Sequence, residues 1–222
     1  MFDAVVVRYD LVNALLSLGL DRWWRRRTVR AIASPPGARV LDLGCGTGKL
    51  AELLAEEARV VGLDLSQHML VTANERLGER IAFVRGSMFA LPFADGVFQG
   101  ATSAFVLRNL SDLPGAFAEL ARVTEQGASL ALVDITGPRR AWLRRPFDVY
   151  FDTVAPLLGR LVGQAEAYRY LARSLAQLPA PEVICQMLEG AGFVRVEAHP
   201  LSGGMVTVWT ATRARRPHQG LR

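Results

Sequence analysis

The chain has 222 residues, of which 50% are hydrophobic and 21% charged, and its formal net charge at pH 7 is +5. This length fits one α/β domain with a large core. No apolar run approaches the ~20 residues of a membrane-spanning helix, and the first residues lack the positive region of a signal peptide. The two cysteines, Cys45 and Cys185, are far apart in sequence. We therefore expect a reduced, cytoplasmic protein.

Predicted strands and helices alternate through most of the chain, which indicates a mostly parallel sheet with helices around it. An amphipathic helix is predicted first, from about Tyr9 to Ala33, and it ends before a Ser-Pro-Pro-Gly run. The predicted strands are 39–43, 60–64, 82–85, 100–104, 129–135, 194–200 and 205–212. The predicted helices between them are 48–58, 67–77, 113–125 and 181–191.

Two segments have no place in this alternation. They are residues 1–33 and the aromatic-rich residues 140–178, and both are predicted to fold over a ligand as a helical cap. Residues 1–213 are expected to form a single domain. The basic residues 214–222 are expected to be a disordered tail.

The most informative motif is an apolar run that ends at Asp42 and continues into Gly44, Gly46 and Gly48. Glycine lacks a β-carbon, so this backbone can take positive φ and approach a ligand closely. In α/β folds such a turn lies outside the carboxyl end of the first strand, where nucleotides bind. Asp64 closes the next apolar run, at the position that commonly holds a ribose. The pattern predicts a nucleoside ligand.

The residues around the glycines decide between classes of nucleoside ligand. A dinucleotide motif needs a third glycine where Lys49 stands, and a phosphate-binding P-loop needs Ser or Thr where Leu50 stands. The Asp42 carboxylate suits a cationic group, and S-adenosylmethionine carries both a sulfonium and an ammonium. The motif therefore favours S-adenosylmethionine, with S-adenosylhomocysteine as product. A strand-turn-helix corner without a ligand is the alternative. No Cys/His/acid spacing indicates a metal site.

Arginine and tryptophan cluster at two places. One cluster is Arg22, Arg25, Arg26, Arg27 and Arg30 with Trp23 and Trp24; the other is Arg139, Arg140, Arg144 and Arg145 with Trp142. Such clusters suit peripheral contact with an anionic membrane. Nucleic-acid binding and ordinary solvated helix faces are the alternatives.

Further motifs extend from Phe2 to about Trp209. They include Tyr9-Asp10-x-Val12-Asn13, Ala90-Leu91-Pro92-Phe93, Leu107-Arg108-Asn109, Glu166-Ala167-Tyr168-Arg169-Tyr170-Leu171 and Gly203-Gly204-Met205-Val206. Together with the glycine loop they resemble the ubiquinone/menaquinone biosynthesis C-methyltransferases. The resemblance implies the class I methyltransferase fold, a Rossmann-like seven-stranded mostly parallel sheet with helices on both faces and an antiparallel last strand. It also implies C-methylation of a polyprenylated quinol precursor, either demethylmenaquinol or the equivalent ubiquinone intermediate, at the inner face of the membrane.

The resemblance also assigns roles to residues. It implies cofactor binding by Asp42, Gly44, Gly46, Thr47, Asp64, Met69, Ser87, Met88 and Ala104, with Asp64 on the ribose and Met69, Ser87 and Met88 along the adenine. Arg108 and Asn109 are the predicted catalytic residues, since a donor beside the quinol oxygen would stabilise the anion that forms there. A polarised water is the expected base. The predicted acceptor-binding residues are Tyr9, Tyr168 and Arg169.

Some positions depart from the family pattern. Lys49 stands where the family usually has an acid, Ser87 where it has Asp or Asn, and residues 204–209 replace a usual Gly-Ile-Val-Ala-Leu-His. A related methyltransferase with another O or N acceptor is therefore one alternative, and a non-catalytic S-adenosylmethionine-binding protein is another. A nucleic-acid substrate is not expected, because no Asn/Asp-Pro-Pro-Tyr motif is present. Whether the chain forms a homodimer is left open.

Overall fold

A seven-stranded sheet organises the molecule in the computed structural model, which describes residues 17, 19–138, 141–154, 174 and 177–215. Its strands are β1 (Arg39–Leu43), β2 (Arg59–Asp64), β3 (Ala82–Arg85), β4 (Phe98–Ala104), β5 (Thr124–Ile135), β6 (Phe193–Leu201) and β7 (Val206–Arg213). Their order across the sheet is β3-β2-β1-β4-β5-β7-β6. All pairs from β3 to β5 are parallel, and β7 runs antiparallel to both of its neighbours. The predicted fold class is confirmed.

Helices cover both faces of this sheet. Those within the described residues are α1 (Asp21–Ala31), α2 (Lys49–Leu54), α3 (Gln67–Leu77), α4 (Leu113–Val123), α5 (Ala141–Val149) and α6 (Pro181–Gly190). Successive strand residues point to opposite faces. In β1, Leu41 and Leu43 join a core with α4 and α6, whereas Val40 joins a second core with α1 and α2. The sheet is therefore buried on both sides, as its apolar strands predict.

The strand register brings three loops together. Leu43 at the end of β1 lies beside Leu63 of β2 on one side and Ser103 of β4 on the other. The carboxyl ends of β1, β2 and β4 consequently meet at the same edge of the sheet. The glycine loop, Asp64 and the segment after β4 all start from that edge, which is where parallel α/β sheets bind ligands.

The predicted first helix is wrong in part. The prediction ran unbroken from about Tyr9 to Ala33, but Ser17, Gly19 and Leu20 form a turn and α1 begins only at Asp21. Gly19 has φ +77°, which a right-handed helix cannot contain. Residues 9–16 lie outside the described part of the chain.

Two other helices end earlier than predicted. The helix predicted for 48–58 ends at Leu54, and the one predicted for 113–125 ends at Val123. In the second case Thr124 takes extended dihedral angles and starts β5, while its hydroxyl donates to the Leu120 carbonyl at 2.8 Å. A Thr side chain can satisfy the last carbonyls of a helix in this way.

The predicted cap segment 140–178 is described only in part. It contains α5, with Pro146 inside it, and then a π-helical turn at Tyr150–Val154. Beyond these, only Ser174, Gln177 and Leu178 of the segment are described. The boundaries predicted for the cap, the single domain and the tail stay predictions.

Candidate active site

A cavity of about 720 Å³ opens at the carboxyl edge of β1, β2 and β4. One half of its wall is polar and comes from the glycine loop, the end of β2 and the start of α3. The other half is mostly apolar and comes from α1, the segment after β4, α5 and the start of β7. Its apolar side chains include Trp24, Phe105, Ile135, Leu143, Phe147 and Val206.

The glycine loop approaches the cavity as its sequence predicts. Gly44, Gly46 and Gly48 have φ of +63°, +54° and +84°, a conformation that side chains with a β-carbon rarely adopt. A β-carbon on Gly44 would lie 2.5 Å from Val106 Cγ2 and 2.7 Å from Met88 Cε. Both the positive φ and the lack of room for a β-carbon therefore favour glycine at position 44.

Asp64 braces the same loop from the end of β2. Its Oδ2 accepts a hydrogen bond from the Gly46 amide at 2.8 Å, and its Oδ1 accepts one from the Ser66 amide at 2.9 Å. Burial raises the pKa of Asp64, while these amide hydrogen bonds act in the opposite direction. A carboxylate has about four acceptor sites, so further donors such as ribose hydroxyls can still bind.

Asp42 lies behind the loop and does not line the cavity. The sequence predicted cofactor binding by Asp42, and from this position its negative charge would act on a ligand from behind the glycine loop. Its side chain is buried, and neither carboxylate oxygen has a hydrogen-bond partner among the described residues. Burial and the Asp64 charge together raise the pKa of Asp42 to about 7, against the Arg25 charge and the Ala51 amide, which is near the carboxylate but outside hydrogen-bond geometry. An unsatisfied buried carboxylate beside the cavity fits a cationic ligand.

The predicted adenine-side residues all reach the cavity wall. Met69, Ser87 and Met88 line it, as do Thr47 of the glycine loop and Ala104 at the end of β4. Ser66 caps α3 by accepting a hydrogen bond from the Met69 amide at 3.4 Å, which fixes the start of that helix. The Ser87 hydroxyl accepts from the Phe89 amide at 3.2 Å.

Arg108 and Asn109 also line the cavity, in a single 3₁₀ turn, Leu107–Asn109, that follows β4. Arg108 is buried, and its Nη1 donates to Oδ1 of the fully buried Asp134. Its backbone amide donates to Asp134 Oδ2 at 3.1 Å. Its Nε has no partner among the described residues. Asp134 therefore balances the charge of Arg108 and fixes its position.

Three of the wall residues that were not predicted as site residues bear on the chemistry: Trp24, Arg25 and Phe105. Trp24 is buried and donates from Nε1 to Ser202 Oγ at 2.9 Å, and Arg25 lies on the cavity wall. The sequence placed both in a surface cluster, whereas helix α1 turns them inward. Phe105 has φ +65°, an uncommon conformation for a bulky residue and typical of functional sites. The rest of that cluster is exposed: Arg22, Trp23, Arg26, Arg27 and Arg30.

The predicted acceptor-binding residues cannot be placed. Tyr9, Tyr168 and Arg169 lie outside the described residues. The described part of the cap does contribute apolar side chains to the wall, through Leu143 and Phe147 of α5, and Tyr150 follows them. Burial raises the pKa of Tyr150, so its phenol is neutral at physiological pH.

Residues 1–213 match the model of the ubiE/COQ5 methyltransferase family. A demethylmenaquinone methyltransferase from Thermus thermophilus is 42% identical over 205 residues, which cover 89% of this chain and 93% of the relative. One from Clavibacter sepedonicus is 40% identical and covers 94% of this chain and 86% of the relative. A ubiquinone/menaquinone biosynthesis C-methyltransferase from Teredinibacter turnerae is 34% identical, and the match covers 96% of this chain and 90% of the relative.

Solved structures support the fold. A SAM-dependent methyltransferase from Aquifex aeolicus superposes with a TM-score of 0.63 at 19% identity and covers 87% of this chain and 91% of its own. A SAM-dependent methyltransferase from Thermotoga maritima superposes with a TM-score of 0.68 at 18% identity, and the match covers 96% of this chain and 97% of the other. The family match, the relatives and the glycine-loop cavity agree with the resemblance predicted from the sequence. The chain belongs to the ubiE/COQ5 methyltransferase family and is an S-adenosylmethionine-dependent methyltransferase.

Proposed function

We propose that this enzyme methylates a ring carbon of a reduced, polyprenylated quinone precursor, with demethylmenaquinol as the favoured acceptor. The observation that carries the proposal is the division of the cavity into a polar half and an apolar half. A ring with an isoprenoid tail needs the apolar half, and the names of the relatives point to the same acceptor class.

The polar half fits S-adenosylmethionine, which supplies an electrophilic methyl group when bound. Gly44, Gly46 and Thr47 would hold its methionine end and Asp64 its ribose, while Met69, Ser87 and Met88 lie where its adenine is expected. A β-carbon on Gly44 would press on Val106 and Met88, so a larger residue at this position would shift the wall that faces the ligand. The buried Asp42 carboxylate adds negative charge behind the loop.

The apolar half would hold the acceptor ring and exclude water from it. Arg108 and Asn109 line the cavity in the turn after β4, so they can donate hydrogen bonds to an acceptor oxygen. Such donors lower the pKa of a quinol hydroxyl and make the adjacent ring carbon more nucleophilic. Because a guanidinium is too basic a group to accept the quinol proton, a water molecule is the expected base. The new carbon–carbon bond forms as the carbon–sulfur bond breaks, and the ring carbon then loses its proton to solvent.

Another small-molecule O or N acceptor is the second candidate. The segment 204–209 departs from the usual family sequence, and Met205 and Val206 from it line the cavity. A changed wall can change the acceptor while the cofactor half stays the same.

We also propose that the exposed arginine–tryptophan surface contacts the inner face of the membrane, where such an acceptor lies. Trp23 and Trp142 are exposed and stand next to exposed arginines in α1 and α5. No helix among the described residues is long and apolar enough to cross a membrane. Flotation with anionic vesicles at low salt tests this contact: the wild-type chain should float, and the double variant Trp23→Ala/Trp142→Ala should stay in the pellet fraction. Absence of wild-type flotation removes the proposal.

The acceptor is tested with radiolabelled S-adenosylmethionine and a panel of acceptors in detergent: reduced demethylmenaquinone, a soluble phenol and a soluble amine. We expect label in the quinol alone. Asp64→Ala should weaken cofactor binding, and Arg108→Ala should slow transfer. Label in the phenol or amine with none in the quinol would replace this acceptor by the second candidate. Wild-type activity in both variants would overturn the site assignment.

A further inference from the structure

Arg25 reaches the cavity from α1, where its contacts include Phe105 and Asp21. Its guanidinium carbon lies 5.0 Å from the centre of the Phe105 ring, and its Nε lies 3.8 Å from Asp21 Oδ2. The Arg25 side chain is only 13% exposed. Phe105 directly follows β4, whose end pairs with the end of β1. The guanidinium is thus placed at the β1–β4 end of the cavity.

The order of the strands gives the direction in which the cofactor extends. Asp64 ends β2, and the predicted adenine contacts Ser87 and Met88 follow β3, so the adenosine lies toward the β2–β3 end. Because β1 and β4 lie on the other side of β2, the methionine end extends toward Arg25. That end carries an α-carboxylate, which calls for a cation or several donors.

The other cations on the described wall are less suitable. Arg85 ends β3, on the adenine side, and donates to the Leu65 carbonyl at 3.2 Å. Arg108 is committed to Asp134. Lys49 opens α2 after the glycine loop and is the one rival for the carboxylate, so it has its own arm in the test.

We propose that Arg25 binds the α-carboxylate of the cofactor's methionine end. The planar guanidinium can hold a carboxylate through two parallel hydrogen bonds while its face rests on Phe105 and Asp21 restrains it from behind. Arg25 also lowers the pKa of Asp42, which shows that its charge is felt behind the glycine loop. Helix α1 would then belong to the cofactor site as well as to the cap. The inference depends on the methyl donor and is independent of the acceptor.

The test is calorimetric binding, without any acceptor, of S-adenosylmethionine and of decarboxylated S-adenosylmethionine, which keeps the sulfonium and ammonium but lacks the carboxylate. For Arg25→Gln we expect about 10- to 100-fold weaker binding of the complete cofactor, typical of a lost charge-assisted pair, and little change for the decarboxylated form. Arg25→Lys should fall between the wild type and Arg25→Gln. Arg26→Gln, an exposed neighbour on the same helix, should bind both ligands like the wild type.

Each other outcome overturns the proposal. Equal weakening for both ligands in Arg25→Gln would show a structural role for Arg25 and no carboxylate contact. Unchanged binding of both ligands to Arg25→Gln would show that Arg25 is not part of the cofactor site. A carboxylate-specific loss in Lys49→Gln with none in Arg25→Gln would assign the contact to the rival. None of these results bears on which acceptor is methylated, so the acceptor proposal fails or succeeds separately.

Discussion

The two halves of the cavity are built in different ways. In the polar half, the positions of the groups follow from the sheet: Asp64 is anchored by two backbone amides, and Gly44 is confined by Val106 and Met88. In the apolar half, side chains come from α1, which packs on the sheet as part of the second core, and from α5, which follows β5; they include Trp24 and Phe147. Cofactor recognition is thus tied to the fold itself. We expect acceptor choice to depend chiefly on the α5 side chains of the wall, which belong to neither of the two buried cores.

Arg108 lines the cavity in the turn after β4, and its replacement gives the largest expected effect. Arg108→Ala should lower kcat about 100- to 1000-fold, the loss typical of one donor to a developing oxyanion, and leave the Kd of S-adenosylhomocysteine nearly unchanged. Single-turnover kinetics and calorimetry measure the two quantities. Because the variant leaves Asp134 without its partner, thermal unfolding is recorded alongside. A Kd that weakens as much as kcat falls would place Arg108 in the cofactor half.

Gly44→Ala should be specific to the polar half. The new methyl group would collide with Val106 and Met88, so we expect about 10- to 100-fold weaker binding of S-adenosylhomocysteine, as overpacking costs of this kind imply. Gly37→Ala is the matched control: its φ of +73° is similar, but no atom lies within 4 Å of the added carbon, and Gly37 is not on the cavity wall. Equal losses in both variants would attribute the effect to backbone strain alone.

Phe147→Ala should affect only the apolar half. Removing this ring from the cavity wall should raise KM for the quinol about 10- to 30-fold through lost apolar contact, with an unchanged Kd for S-adenosylhomocysteine. Val149→Ala changes an exposed residue on the same helix that does not line the cavity, and it should match the wild type in steady-state kinetics. A weakened cofactor Kd in Phe147→Ala would mean that the halves are not separable.

Asp42 predicts a pH effect confined to the polar half. Its pKa is about 7, and a bound cation favours the ionised carboxyl, so affinity for S-adenosylmethionine should rise about tenfold from pH 6 to pH 8. In calorimetric titrations, Asp42→Asn should remove this pH dependence of affinity. Any pH dependence that remains would come from Asp64.

The Asp42 carboxyl also makes the stability of the fold depend on pH, in the direction opposite to cofactor affinity. A raised pKa means that the fold prefers the protonated carboxyl, so the stability contributed by Asp42 is greatest at low pH and is lost as the pH rises through about 7. Asp42→Asn should therefore raise the Tm of the ligand-free chain most at pH 8, less at pH 5, and little at about pH 4, near the ordinary pKa of the carboxyl. A lower Tm at pH 8 would contradict the buried, uncompensated state of this carboxylate.

The polar half could be predicted from the sequence because its signals are local. Glycine spacing and an acid at the end of an apolar run require no knowledge of distant residues, and they located Gly44 and Asp64 correctly on the wall. The inward position of Arg25 could not be predicted in the same way, because it depends on how α1 is rotated against the sheet. Asp134 lies 26 residues from Arg108, and only the β4–β5 pairing brings them together. An acid directly after the apolar run 130–133 of β5 was the one available signal for that pair.

The position of the methyl group in the product tests the central claim most directly. The enzyme is incubated with S-adenosylmethionine that carries a ¹³C-labelled methyl group and with reduced demethylmenaquinone in detergent micelles, and the product is examined by NMR. If the enzyme methylates carbon, the labelled methyl group will be bonded to a ring carbon that has lost its proton. A labelled methoxy group, or no transfer to the quinol while S-adenosylmethionine still binds, would contradict it.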